Sequence, residues 1–149
     1  MTDWPDEKIR SVALWYIKKH SMDTTAWRWT RLGEPCADII RLVQLQIGEL
    51  PIVSFWRSDA SWYLFTTRRI LGSYSGIDVE WSAIAVSKDH FGNFKGHGGK
   101  EFEVMTLQSS DGSEAKLEYE TFTASMAPIY YLMFWKCKYP ILDKIKAEP

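Results

Sequence analysis

The sequence predicts an α+β fold: a strongly curved antiparallel sheet, or small barrel, of about five to seven strands, preceded by two helices and closed by a capping helix. In residues 4–20 and 35–47 the apolar positions recur at helical spacing. From Leu50 the period shortens to runs of β-branched and aromatic residues separated by turn residues. Helical spacing then returns near Ser125.

Residues 4–20 read as the first helix, with Ile9, Val12, Ala13, Tyr16 and Ile17 on one face. Asp3 and Pro5 supply start signals, and Lys18, Lys19 and His20 suit the negative end of the helix dipole. The following TTAWRWTRLG alternates Trp27 with Trp29 and reads as a loop or a short strand. A second helix is expected from Pro35 to Ile47, stopped by Gly48, with Cys36, Ile39, Ile40, Val43 and Ile47 as its apolar stripe.

The strand region contains PIVSFW, SWYLF, RRILGSY and IDVEWSAIAV, then EFEVMTLQ and EAKLEYE joined by SSDGS, whose Asp-Gly is a hairpin signal. In the last of these, Ala115, Leu117 and Tyr119 alternate with Glu114, Lys116, Glu118 and Glu120, which predicts one buried and one solvated face. In IDVEWSAIAV the apolar set moves from Ile77, Val79 and Trp81 to Ile84 and Val86, which predicts a bulge or corner. Met126, Ile129, Tyr130, Met133 and Cys137 mark the closing helix, with Pro128 in its first turn and Tyr139-Pro140 as its end. One domain is expected, made of a helical layer (1–49), a sheet with its helix (50–138) and a tail (139–149) that frays.

Composition narrows the function. The 149 residues carry 19 acidic and 18 basic side chains, mixed along the chain, so the cationic excess of a nucleic-acid binder is missing. Aromatics reach 15% with eight Trp, which favours a tightly packed core or an aromatic contact surface. Of Trp15, Trp62, Trp81 and Trp135, at least half are expected in the core. Two remote cysteines, Cys36 and Cys137, and a start (MTDW) with no basic, apolar leader suggest a cytoplasmic protein with reduced, buried thiols. The longest apolar run, near Met126–Trp135, is too short to span a bilayer.

The motifs of chemistry fail one by one. HFGNFKGHGGKEF has glycines and a lysine, but Phe94 stands where a phosphate loop needs its first glycine and Glu101 where it needs a hydroxyl. His90, His97 and Asp89 lack a scaffold that would fix metal geometry. Ser82 and Ser87 have no nucleophile-elbow context. Glu101/Glu103 and Glu118/Glu120 read as solvated strand faces rather than acid/base pairs. A non-enzymatic protein without cofactor or metal is therefore expected.

The order of elements resembles the bacterial pleckstrin-homology-like family over residues 50–138. The resemblance rests on the turn Thr66-Thr67-Arg68-Arg69-Ile70 between two early strands, on Ile84 and Val86 of a W-x-x-I-x-V strand, and on Trp135 of the closing helix. It implies a recognition platform, such as a regulatory, secretion-associated or immunity-type partner of another protein. In lipid-binding members a basic motif fills the loop between the first two strands. Here that loop is Arg57-Ser58-Asp59-Ala60, whose single arginine is offset by an aspartate.

Two candidate sites follow. The expected partner surface is Trp27, Arg28 and Trp29 with His97 and Lys100, since loops carry binding and these combine aromatic anchors with polar groups. The alternative is a small-ligand or lipid-headgroup site using Arg57, Arg68 and Arg69. Thr66, Thr67 and Arg68 themselves read as hairpin-corner chemistry, with Arg69 belonging to the next strand and expected to cross-pair with an acidic neighbour. The oligomeric state is left open.

Overall fold

A computed structural model of the chain describes residues 3–147. Helix α1, Asp6–Lys19, begins after Pro5, carries Asp6 and Glu7 in its first turn and ends on Lys18 and Lys19, a charge order that complements the helix dipole. It buries Ile9, Ala13 and Ile17. A short 3-10 turn, Thr24–Ala26, leads to the edge strand β1, Thr30–Leu32.

Helix α2 is shorter than its sequence predicts, Ala37–Leu42 instead of 35–47. Val43 is already extended (φ −125°, ψ 135°), and Ile39 is the buried residue of the helix, while Ile47 is 98% exposed. Tertiary hydrogen bonds override the local pattern: Arg69 donates to Gln44 O at 3.2 Å and to Glu49 at 2.6 Å, which draws this segment against the sheet.

The fold is α+β with antiparallel sheets, but the strands form two sheets rather than one. β2 (Pro51–Ser58), β3 (Ser61–Thr66), β4 (Arg69–Tyr74) and β5 (Ile77–Ser82) form a meander with β1 on its edge. β6 (Val86–His90), β7 (Phe102–Ser109) and β8 (Glu114–Glu120) form the second sheet. The expected corner in IDVEWSAIAV is a 3-10 turn, Ala83–Ala85, where the chain leaves one sheet for the other. It buries Ala83 and Val86 and leaves Ile84 exposed, unlike the pattern the family resemblance implies.

β8 lies against β3 and β4. At Gly72 a Cβ would sit 2.6 Å from Leu117 Cδ2 and 2.7 Å from Trp62 O, so only glycine fits. The solvated face expected for β8 holds at Glu114 and Lys116 and fails at its far end. Ala115, Leu117 and Tyr119 are buried as expected, but so are Glu118 and Glu120 on the opposite face, because the second sheet is covered on both sides near its end.

The C-terminal helical stretch begins with a 3-10 turn, Phe122–Ser125, and continues through α3, Met126–Met133, a π turn, Phe134–Lys138, and α4, Tyr139–Ala147. Tyr139-Pro140 therefore does not end it, since the wider π turn just before Pro140 tolerates the ring and the missing N–H. The buried face is Ala127, Pro128, Tyr131, Leu132, Phe134 and Trp135, and Cys137 is exposed instead of buried. Nearly every residue of α3 is apolar, so spacing alone does not mark the inward side. Tyr131 packs on Phe65, and its hydroxyl donates to Thr66 O at 2.6 Å, which ties helix to sheet. Of the tryptophans, Trp4, Trp62 and Trp135 are buried, and Trp15 is half exposed. No helix of the described residues is long and apolar enough to cross a membrane.

Candidate functional site

Two loops far apart in sequence meet beside the end of β8. The Trp27-Arg28-Trp29 loop is held by the buried carboxylate of Glu120, which accepts from Arg28 N at 3.0 Å, Trp29 N at 3.0 Å and Thr30 Oγ1 at 2.7 Å. Charge-assisted bonds of this kind are stronger than neutral ones. Trp29 Nε1 donates to Glu101 Oε1 at 2.7 Å, and Arg28 Nη1 pairs with the same oxygen at 3.3 Å. Trp27 Nε1 donates to Thr123 Oγ1 at 3.2 Å.

The glycine-rich loop closes the other side. Thr121 donates from Oγ1 to Lys100 O at 2.6 Å and from its backbone N to Glu101 O at 3.0 Å. Phe122 N donates to Phe94 O at 2.9 Å, and Gly96 lies so close to the Phe122 ring that a Cβ there would be 2.5 Å from it. Phe122 holds a positive φ of 60° and is 59% exposed. A left-handed aromatic costs on the order of 1 kcal/mol or more, and such strain gathers at functional positions. The Phe122 ring borders a shallow cavity of about 270 Å³ shared with Trp27, Arg28, Gly99, Glu101 and Thr123.

The structure thus brings Trp27, Arg28 and Trp29 together with the Lys100 segment through Glu101. Arg28 and Lys100 are exposed, whereas Trp27 and Trp29 are half-buried with both indole N–H groups bonded internally. The His97 side chain lies outside the described residues. Sequence reasoning missed Phe122, Glu101 and Glu120. Phe122 carries no local signal beyond its place between a strand and a helix, and the acids look like solvated strand residues.

The alternative arginines are each engaged by a carboxylate. Arg57 pairs with Glu118 at 2.8 Å and lies over the Phe102 ring. Arg68 pairs with Asp6 at 2.9 Å, and Arg69 with Glu49 at 2.6 Å. The hydrogen bond from Arg68 is the main influence that lowers the Asp6 pKa, with Thr67 adding to it. Burial pushes the Glu49 carboxyl up, but bonds from Arg69, Thr66 and Gln46 N outweigh it, and its pKa is lowered. Thr66 Oγ1 accepts from Arg68 N and Arg69 N at 3.0 and 2.9 Å and donates to Glu49 at 2.6 Å, so the Thr-Thr-Arg-Arg stretch is built as a corner.

A second cleft of about 420 Å³ lies beside this corner, lined by Trp4, Asp6, Thr67, Arg68, Ser82 and Trp135 among others. Among the described residues, no group of three or more His, Cys, Asp or Glu is placed to hold a metal ion. Comparison of the chain with family models, curated proteins and solved structures gave no match.

Proposed function

We propose that this chain is a non-enzymatic protein-recognition domain that contacts its partner through the surface built by Arg28, Trp29, Lys100 and Phe122. The observation that carries the reading is the convergence of two loops around a strained, exposed aromatic, with the solvent-exposed Arg28, paired to Glu101, beside it. Aromatic residues and arginine are the anchors of protein interfaces. The acids of the site are engaged in holding loops: Glu120 takes three donors and Glu101 takes two, which favours a scaffold over acid/base chemistry.

A pleckstrin-homology-like architecture belongs to this reading. A four-stranded meander, a three-stranded meander and a C-terminal helix, in that order, support it. A cytoplasmic location is supported by the two free cysteines. The partner class is a regulatory, secretion-associated or immunity-type target. Arg28→Ala and Phe122→Ser leave the donors and acceptors that hold Trp27 and Trp29 in place, and each is expected to weaken a partner isolated with the native chain by about tenfold or more. Retention of full affinity by the double variant contradicts the surface.

A second reading rests on the cleft beside the Thr-Thr-Arg-Arg corner. Its two indole walls and Arg68 suit a small aromatic ligand, and this is the form in which the small-ligand alternative survives. Thermal-shift screening of the protein against small aromatic metabolites tests it, with Arg68→Ala expected to abolish any stabilisation found.

A further inference from the structure

Charge is divided unevenly over this near-neutral chain. Helix α1 together with residues 134–147 holds eight Lys or Arg against three acids, whereas the remaining positions hold ten against 16. Of the three acids, Asp6 is paired with Arg68 and Asp143 accepts the Trp4 indole N–H at 3.1 Å, which leaves Glu7. Lys136 is likewise paired with Asp89, so these two stretches keep a net excess of basic residues while the remainder of the chain is acidic.

These basic stretches also expose apolar groups. Trp15 on α1 is 50% exposed, with Lys19 Nζ 5.0 Å and Lys138 Nζ 5.4 Å from its ring centroid. Just beyond Lys138, Ile141 and Ile145, four residues apart on one side of α4, are 59% and 63% exposed. Lys18, Lys19 and Lys144 are exposed around them. An aromatic and two aliphatic side chains thus stand among lysines, with Lys138 linking Trp15 of α1 to the C-terminal stretch.

We propose that this face docks on an anionic membrane surface, with Trp15, Ile141 and Ile145 entering the interface and Lys18, Lys19, Lys138 and Lys144 meeting lipid phosphates. The composition matches that of interfacial helices, which combine Trp or aliphatic residues with a basic rim. Four features of the face favour this occupant. Its cations are all lysines, compact hydrated charges suited to a diffuse anionic plane, whereas bidentate pairing with protein carboxylates favours arginine. Lysine stems also lie along apolar surface while their heads reach phosphate. Tryptophan concentrates at the membrane boundary. A second copy of the chain would oppose lysine to lysine, which disfavours self-association through this face.

Flotation of the purified chain with vesicles tests the proposal. Vesicles of phosphatidylcholine alone should leave it in solution, and vesicles with about one-third phosphatidylglycerol should carry it up, less so as salt is raised beyond roughly 0.5 M. Lys138→Glu/Lys144→Glu should lower partitioning by about 25-fold or more, at about fivefold per lysine removed. Ile141→Ser/Ile145→Ser should lower it by about tenfold. Lys18→Glu/Lys19→Glu, on the other helix, should repeat the loss, so the result does not depend on one variant staying folded. Wild-type protein that ignores anionic vesicles overturns the proposal, as does equal binding by folded charge variants. Self-association abolished by the Ile→Ser pair, or capture by polyglutamate instead of vesicles, overturns it in favour of a second copy or an acidic protein.

Discussion

The buried carboxylate of Glu120 lies 2.7 Å from the hydroxyl of Thr30, a residue 90 positions away, and fixes the loop that carries Arg28 and Trp29 onto the end of β8. Removing it leaves two backbone N–H groups and a hydroxyl without their acceptor. Glu120→Ala is expected to cost about 3 kcal/mol, and Glu120→Gln, which keeps an acceptor oxygen, about 1 kcal/mol. Chemical denaturation gives the energies. Hydrogen exchange at Arg28 and Trp29 should accelerate in the Ala variant, and unchanged exchange there would show that the loop is held by something else.

The Arg69–Glu49 pair makes a different demand. The Glu49 side chain is fully buried, so truncating its partner strands a charge. Arg69→Ala is expected to destabilise by about 3 kcal/mol, and adding Glu49→Gln should recover part of that loss. A double-mutant cycle measures the coupling, and simple additivity would refute it.

Acid should loosen the corner. The pKa values of Asp6 and Glu49 are both lowered in the fold, from 3.8 and 4.5, so their stabilising contribution is complete above these values and is lost as pH falls through the folded ones. The urea midpoint is expected to hold from neutral pH to about pH 5 and to drop below about pH 4. Asp6→Asn should flatten that drop. An identical acid slope in the variant would exclude Asp6 as a source.

Gly72 sets how closely the sheets meet. Gly72→Ala forces a methyl against Leu117 and the Trp62 carbonyl and is expected to cost about 2 kcal/mol, read as a lower Tm. An unchanged Tm would mean that the sheets separate freely at this point.

Much of this fold is legible in the sequence because local signals and tertiary packing agree. The Asp-Gly of the β7–β8 hairpin, the Pro5 start of α1 and the shift of apolar phase at Ala83–Ala85 each act within a few residues. What fails depends on distant partners. Glu118 and Glu120 look solvated by alternation, yet Arg57, Ser61 and the β1 loop cover them. α2 ends early because Arg69, well beyond it in sequence, draws Gln44 and Glu49 to the sheet. Cys137 faces outward because the π turn shifts the helix phase, and no sequence signal marks that turn. The Trp27–Trp29 loop and the glycine-rich loop can each be picked out by composition, but their meeting through Glu101 cannot.

The proposed role of the Arg28–Phe122 surface is to bind another protein. Site-specific photo-crosslinking in the native host tests it most directly, with the probe placed at Phe122 and, as a control, at exposed Ser87 on the second sheet. One discrete protein adduct is expected from position 122, lost with Arg28→Glu, and none from position 87. No adduct at 122, or the same adducts from both positions, would contradict it.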